Sequence, residues 1–375
     1  MEVDQSLAKA LKTQGSANVV VIFKQDTSDV IKRDQQRTIR QPWTKDHILK
    51  AGLEQLASTS QKNVVSLLNS KDAKFTSFWI NKSGRLLSSP RANSYIDEPI
   101  PASSQINAEW GIEKIEADAA WTLPGGNNGQ GIVVGVQRDG GIRMTTLPVP
   151  PMEMGHGTHT MEQLLVEERP SLNVVNSSLV QLTDGSNADC DQAPNLVSNS
   201  WGGGQGATFY NAVINAWRAA NIVPIFAQGN AGPSCATANS PGDSSSVIGV
   251  GATTAADGIA SFSSLGPAVG GGVKPDVSAP GQNVRSAWST SDESYSTISG
   301  TSMAAPHVAG AAALLLSRDP SLSYDQVKNL LQNNADRDLQ TADTCGGIPS
   351  DTFPNNVWIW KINARKALAA AISGF

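Results

Sequence analysis

From about residue 105 onward the chain alternates short apolar runs with amphipathic stretches and polar turns. Gly131-Ile132-Val133-Val134-Gly135-Val136 is apolar almost throughout, the pattern of a strand buried on both faces. Leu196 to Ser198, Ile222 to Ala227 and Val247 to Val250 read as further strands of the same kind. Between two of them, Val213, Ile214 and Trp217 mark the inner face of a helix. A Gly-rich run at residue 300 turns abruptly into Val308, Ala309, Ala311 to Ala313 and Leu314 to Leu316, a turn feeding an apolar helix. Ser323-Tyr324-Asp325-Gln326 reads as a capping box before Val327, Leu330 and Leu331. Strands alternating with helices predict an α/β fold: a doubly wound, mainly parallel sheet with helices on both faces. Sites in such sheets lie at the carboxyl ends of the strands. Asp139, Ser200 and Asn230 all come directly after strand runs.

The first 95 residues follow a different pattern and predict a small α+β unit. Val19 to Phe23 and Phe75 to Ile80 are strand runs, the second followed by a turn at Asn81 to Gly84. Leu53, Leu56, Val64 and Leu67 fall at near-helical spacing between them. Ser88-Ser89-Pro90-Arg91-Ala92-Asn93-Ser94 is a polar linker, so the chain divides into residues 1–95 and 96–375.

Composition agrees with two globular units. The 375 residues are 39% hydrophobic and 16% charged, with 34 Gly. A net charge of -5 gives no reason to expect nucleic acid or an anionic membrane as a partner. No apolar run approaches the roughly 20 residues that span a bilayer. Met1 to Ser16 is polar and lacks the apolar core of a secretory signal. Nothing in the sequence calls for a cofactor, and no calcium site is assignable.

Chemistry concentrates in two blocks, Gly155-His156-Gly157-Thr158-His159 and Gly300-Thr301-Ser302-Met303-Ala304-Ala305-Pro306-His307. Ser302 falls near the positive N-terminal end of the apolar helix. A serine hydroxyl becomes a nucleophile only when a neighbouring base takes its proton. His156 and His159 are both candidates for that base, and a capping role is the alternative for Ser302. His307 reads as a packing or capping residue. In Phe226-Ala227-Gln228-Gly229-Asn230-Ala231-Gly232-Pro233, Asn230 is either a turn residue or a side-chain donor to a developing oxyanion.

These blocks, with Leu196-Val197-Ser198-Asn199-Ser200-Trp201-Gly202-Gly203, resemble the subtilases, the subtilisin-like serine proteases. The resemblance runs from roughly Trp110 to Ala370. It implies Ser302 as nucleophile, His156 as base and Asn230 as the oxyanion donor beside the Ser302 N–H. It implies that Ser200, Trp201 and Gly202 offer backbone groups to an extended substrate, with Trp201 either lining a pocket or packing in the core. Asp139-Gly140-Gly141 fits the family's acid, although Gln137-Arg138 puts polar residues where the strand should deliver it. It further implies a secreted zymogen acting on protein or peptide substrates as a monomer, with residues 1–95 as its inhibitory propeptide or, failing that, an accessory domain. Of three cysteines, Cys190 and Cys235 flank the substrate-strand and oxyanion blocks and form the candidate disulfide, with free thiols as the alternative. The sedolisins share a similar serine motif but use a glutamate base, and the intact histidine block argues against them.

The stretch between Arg138 and Asp191 departs from the family. Arg143 to Glu153 is short for what separates acid from base. After His159, family members continue as an apolar helix, whereas this chain reads Met161-Glu162-Gln163-Leu164-Leu165-Val166-Glu167-Glu168-Arg169-Pro170. Burying those charges unpaired is unfavourable. Codons for Met161 to Val166, with one G restored, can read Met-Gly-Thr-Ile-Ala-Gly, the family's usual continuation. A similar slip can turn a Phe-Gly-Tyr-Gly-Lys run into Val357-Trp358-Ile359-Trp360-Lys361. The alternative to an active endopeptidase is therefore an impaired relative or a frame-shifted gene, acting at most as a peptide-binding module.

Overall fold

A computed structural model describes residues 55–56, 58–60, 62–66, 95–96, 109–126, 129–137, 156, 159–160, 173–176, 193–288, 290–291, 293–337, 345 and 360–374. Its centre is a six-stranded sheet, entirely parallel, in the order β3-β2-β4-β5-β6-β7. The strands are β2 (Val133–Gln137), β3 (Asn173–Asn176), β4 (Leu196–Asn199), β5 (Val223–Ala227), β6 (Ile248–Thr253) and β7 (Val277–Pro280). A second, antiparallel sheet joins β1 (Tyr95–Ile96), β9 (Tyr295–Ser299) and β8 (Val284–Ala287) in that order.

The expected strands at β2, β4, β5 and β6 are all present, and so is the parallel sheet. Strand β5 shows why its run is continuously apolar. Val223, Ile225 and Ala227 face the main core, while Phe226 points the other way into a cluster with Ile214 and Val247. Helix α3 (Asn211–Ala219) supplies Ile214 and Trp217 to that second cluster, as their spacing predicts.

Helices α1 (Trp110–Lys114) and α2 (Ala117–Trp121) bring Ile112, Ile115 and Ala120 to the main core. Helix α4 (Thr301–Arg318) lies against β4, β5, β6 and β7 and is buried on every side except at Gly310 and Arg318. A helix buried all round carries no polar face, which explains why its sequence is dominated by small and apolar residues. Helices α5 (Tyr324–Asn333) and α6 (Ala364–Ser373) pack against it. The capping box at α5 is formed: the Gln326 N–H donates to Ser323 Oγ at 3.3 Å, and the Ser323 N–H donates to Gln326 Oε1 at 2.9 Å.

In the N-terminal unit, the described positions within the expected Leu53 to Leu67 helix are helical. The two strands expected there lie outside the described residues. One expectation is overturned. Cys235 bonds to Cys345, with Cα atoms 5.3 Å apart, and not to Cys190, which lies outside the described residues. Proximity to the same two motifs misled the pairing, because the fold returns a segment 110 residues away to the Cys235 loop.

One buried charge cluster is invisible in the hydrophobic pattern. Lys274 is fully buried and donates to Asp276 Oδ2 at 2.5 Å, which also accepts the Gly249 N–H at 2.7 Å. Lys328 Nζ reaches Asp276 Oδ1 at 2.5 Å. Desolvation pulls the Lys274 pKa down, and Asp276 opposes that pull. Replacing Asp276 by Asn leaves an uncompensated buried ammonium, so D276N should lose about 3–5 kcal/mol in denaturant unfolding. A loss below about 1 kcal/mol would mean that Lys274 is already neutral.

Candidate active site

The carboxyl ends of the central strands stand side by side, with Gln137 opposite Asn199 and Asn199 opposite Phe226. Ser200 follows β4 directly, and Asn230 follows β5 by three residues. Asp139 would follow β2 by two residues but lies outside the described residues.

Ser302 is the second residue of α4, which starts at once after Gly300 leaves strand β9. Its first turn therefore presents N–H groups that lack the regular i−4 helical partner, at the positive end of an 18-residue helix. Asn230 sits against that turn. Its Oδ1 accepts the Thr301 N–H at 2.9 Å and the Thr301 hydroxyl at 2.9 Å. Of the two ends of the Asn230 amide only the oxygen can accept, so these bonds fix the amide with Nδ2 on the other side. A Cβ at Gly300 would lie 3.3 Å from that Nδ2, a tight contact that would press on the Asn230 amide. The Gly229 N–H in turn donates to Thr301 Oγ1 at 3.1 Å. Gly229 has φ +110°, and a side chain on it would collide with Asn239 and with Ser264 Oγ. Thr301 thus links the Asn230 loop to the nucleophile helix. Its only sequence signal was adjacency to Ser302.

Ser200 and Ser302 are both buried and touch twice. Ser200 Oγ donates to the Ser302 carbonyl at 2.8 Å, and Ser302 Oγ donates to the Ser200 carbonyl at 3.3 Å. Trp201 packs its ring on Tyr210 and Phe226, with centroids 5.4 and 5.3 Å away, and is partly buried there. Gly202 has a structural cause beyond access: a Cβ there would lie 2.9 Å from the Ser240 carbonyl oxygen. The Gly203 N–H donates to that same oxygen at 2.8 Å.

His156, His159 and Thr160 have helical backbone and are buried. His159 Nε2 lies 3.0 Å from both the Val284 and the Ser296 carbonyl oxygens. Carbonyls only accept, so Nε2 carries the proton and bridges β8 to β9. Ser286 Oγ donates back to the His159 carbonyl at 2.9 Å. Burial drives the His159 pKa from 6.5 down to about 3. A base poised for work near neutral pH cannot titrate there. His159 therefore ties the His156 helix to the hairpin that leads into Ser302.

His307 is likewise buried, with its pKa lowered from 6.5 to about 4 by desolvation. Its Nδ1 donates to the Met303 carbonyl at 2.8 Å, and Gly111 of α1 lies against Nε2. This is the packing role expected of it. Both rings are neutral when folded, whereas free histidines take protons below about pH 6.5. The unfolded chain therefore gains protons first as pH falls. Stability fully present above about pH 6.5 is lost progressively toward pH 3 to 4, by about 1.4 kcal/mol per pH unit for each ring. The urea midpoint should fall between pH 6.5 and 5, and H307Q should roughly halve that slope. An unchanged slope in H307Q would show that the ring is not held neutral.

The sequence profile of the subtilase family matches residues 150–351. Asp139 lies outside that stretch. Bacillopeptidase F of Bacillus subtilis (strain 168) is 38% identical over 192 residues, 49% of this chain and 13% of that protein. An extracellular serine proteinase of Thermus sp. (strain Rt41A) is 42% identical over 138 residues, 37% of this chain and 32% of that protein. An alkaline protease of Alkalihalobacillus alcalophilus is 31% identical over 274 residues, 65% of this chain and 69% of that protein. The chain thus spans less than a third of the first two proteins' length.

Proposed function

The chain belongs to the subtilase family, and from that premise we propose that it is a serine endopeptidase working through an acyl-enzyme on Ser302. The observation that carries the reading is the meeting of Asn230, Thr301 and Ser302 at the N-terminal end of α4. In this mechanism His156 takes the Ser302 hydroxyl proton as Oγ attacks the scissile carbonyl. Asp139 orients His156 and stabilises its charged form. The Asn230 Nδ2–H and the Ser302 N–H receive the developing oxyanion. The C–N bond then breaks, His156 returns the proton to the leaving amine, and water releases the acyl group by the same route. The substrate backbone lies along Ser200 to Gly202 as an added strand.

Family membership supports protein substrates, and the extracellular name of the Thermus relative supports secretion. Residues 1–95 are proposed as a propeptide released near the linker before Tyr95, leaving a monomeric peptidase. The charges of Met161 to Arg169 favour a second reading, a relative whose rate is impaired. Digestion of casein by the full chain, followed by intact-mass analysis, tests the proposal. Cleavage with loss of the first 95 or so residues is expected. An active enzyme that keeps its whole N-terminus would leave residues 1–95 as an accessory domain.

A further inference from the structure

Pro306 occupies the sixth position of α4, inside the helix. In an α-helix the N–H of residue 306 would pair with the carbonyl of residue 302. Proline has no N–H, and its ring crowds that same carbonyl. The carbonyl that loses its partner is therefore the one belonging to the nucleophile residue. A buried carbonyl without a donor is costly, so another group must supply one. Ser200 Oγ donates to it at 2.8 Å, and both residues are buried, 6% and 7% exposed.

We infer that the Ser200 hydroxyl is a positioning group for catalysis, replacing the helical hydrogen bond that Pro306 removes. It fixes the Ser302 peptide unit against the end of β4. The same residue's carbonyl accepts from Ser302 Oγ at 3.3 Å, so one residue holds both the backbone and the resting hydroxyl of the nucleophile. A side chain anchored this way stays aimed while its hydroxyl turns toward the base. The sequence motif reads Ser200 only through its backbone, which any residue could offer. The hydroxyl is needed because of a proline 106 positions later. This inference rests on Ser302 being the nucleophile.

The test is a double-mutant cycle, since Pro306→Ala restores the missing N–H. S200A removes the side-chain donor but keeps the backbone that would pair with substrate. Its rate of labelling by a fluorophosphonate probe, and its kcat on a peptide substrate, should fall about fivefold to tenfold, with KM little changed. S200A/P306A should regain most of that loss, because an ordinary helical bond again holds the Ser302 carbonyl. A role in packing alone would give no rescue, and P306A would add its own loss to that of S200A. Unchanged labelling in S200A, or an additive double mutant, overturns the inference while leaving the peptidase reading intact. If the unaltered chain takes no label, the peptidase reading fails and the melting temperatures decide. A lower value in S200A that S200A/P306A restores upholds the hydrogen-bond replacement, and equal values refute it.

Discussion

Ser302→Ala is expected to abolish peptide hydrolysis while leaving the fold intact. The hydroxyl is the group that forms the acyl bond, whereas the neighbouring Thr301 and Ser200 hydroxyls donate to Asn230 Oδ1 and to the Ser302 carbonyl. Subtilisin, a member of the same family, sets the scale for such a loss at about a millionfold in turnover. The structural cost is small. Ser302 Oγ makes one long bond of 3.3 Å to the Ser200 carbonyl, whereas the bonds that build the site run through Thr301, Asn230 and the Ser302 backbone. S302A should therefore melt within a few degrees of the unaltered chain and should retain its first 95 residues. Turnover that survives the substitution at full rate would remove Ser302, and the mechanism with it.

The second large effect concerns the segment from Arg138 to Asp191. Its charged run follows directly on His159, whose Nε2–H holds the helix to β8 and β9. Charges that resist burial, placed next to this anchor, are expected to shift the base. Displacing a catalytic base by about 1 Å costs around 10²-fold in rate. The chain as written should therefore cleave casein slowly. Replacing Met161 to Arg169 with Gly-Thr-Ile-Ala-Gly-type residues, in a segment of family length, should raise the rate by about 10²-fold or more. A casein rate in the unaltered chain equal to that of its relatives would make the segment a tolerated variation. Resequencing the source gene tests the frame directly, since an intact frame encoding these residues ends the frame-shift explanation.

The fold was legible wherever burial on both faces forces a plain apolar run. Strands β2, β4, β5 and β6 and helix α4 are of that kind. Strand β7 was not, although all four of its residues are buried. In Val277-Ser278-Ala279-Pro280 the apolar run is broken by Ser278 and ends in a proline, so it gives no strand signal. The sheet edge makes them acceptable: Ser278 exchanges backbone bonds with Trp360 and Ile362, 82 and 84 residues further on. Strands β8 and β9 mix Ser, Thr and Arg with apolar positions, and their pairing was equally silent.

The site divides in the same way. Ser302, His156 and Asn230 stand in dense motifs, so residue types and spacing single them out as candidates. Thr301, Ser200 Oγ and the protonation of His159 depend on partners far away in sequence, and no local pattern encodes those. The Cys235–Cys345 bond was missed for that reason too.

Labelling of the folded, unaltered chain with a fluorophosphonate, followed by peptide mapping, asks whether Ser302 is an activated nucleophile. Attack by Oγ forms a bond to phosphorus and expels fluoride, a step that an ordinary surface serine does not perform at neutral pH. The expected result is one adduct per chain, formed slowly, on the peptide that contains Ser302. A folded chain that takes no adduct, or takes it on another serine, would contradict the mechanism.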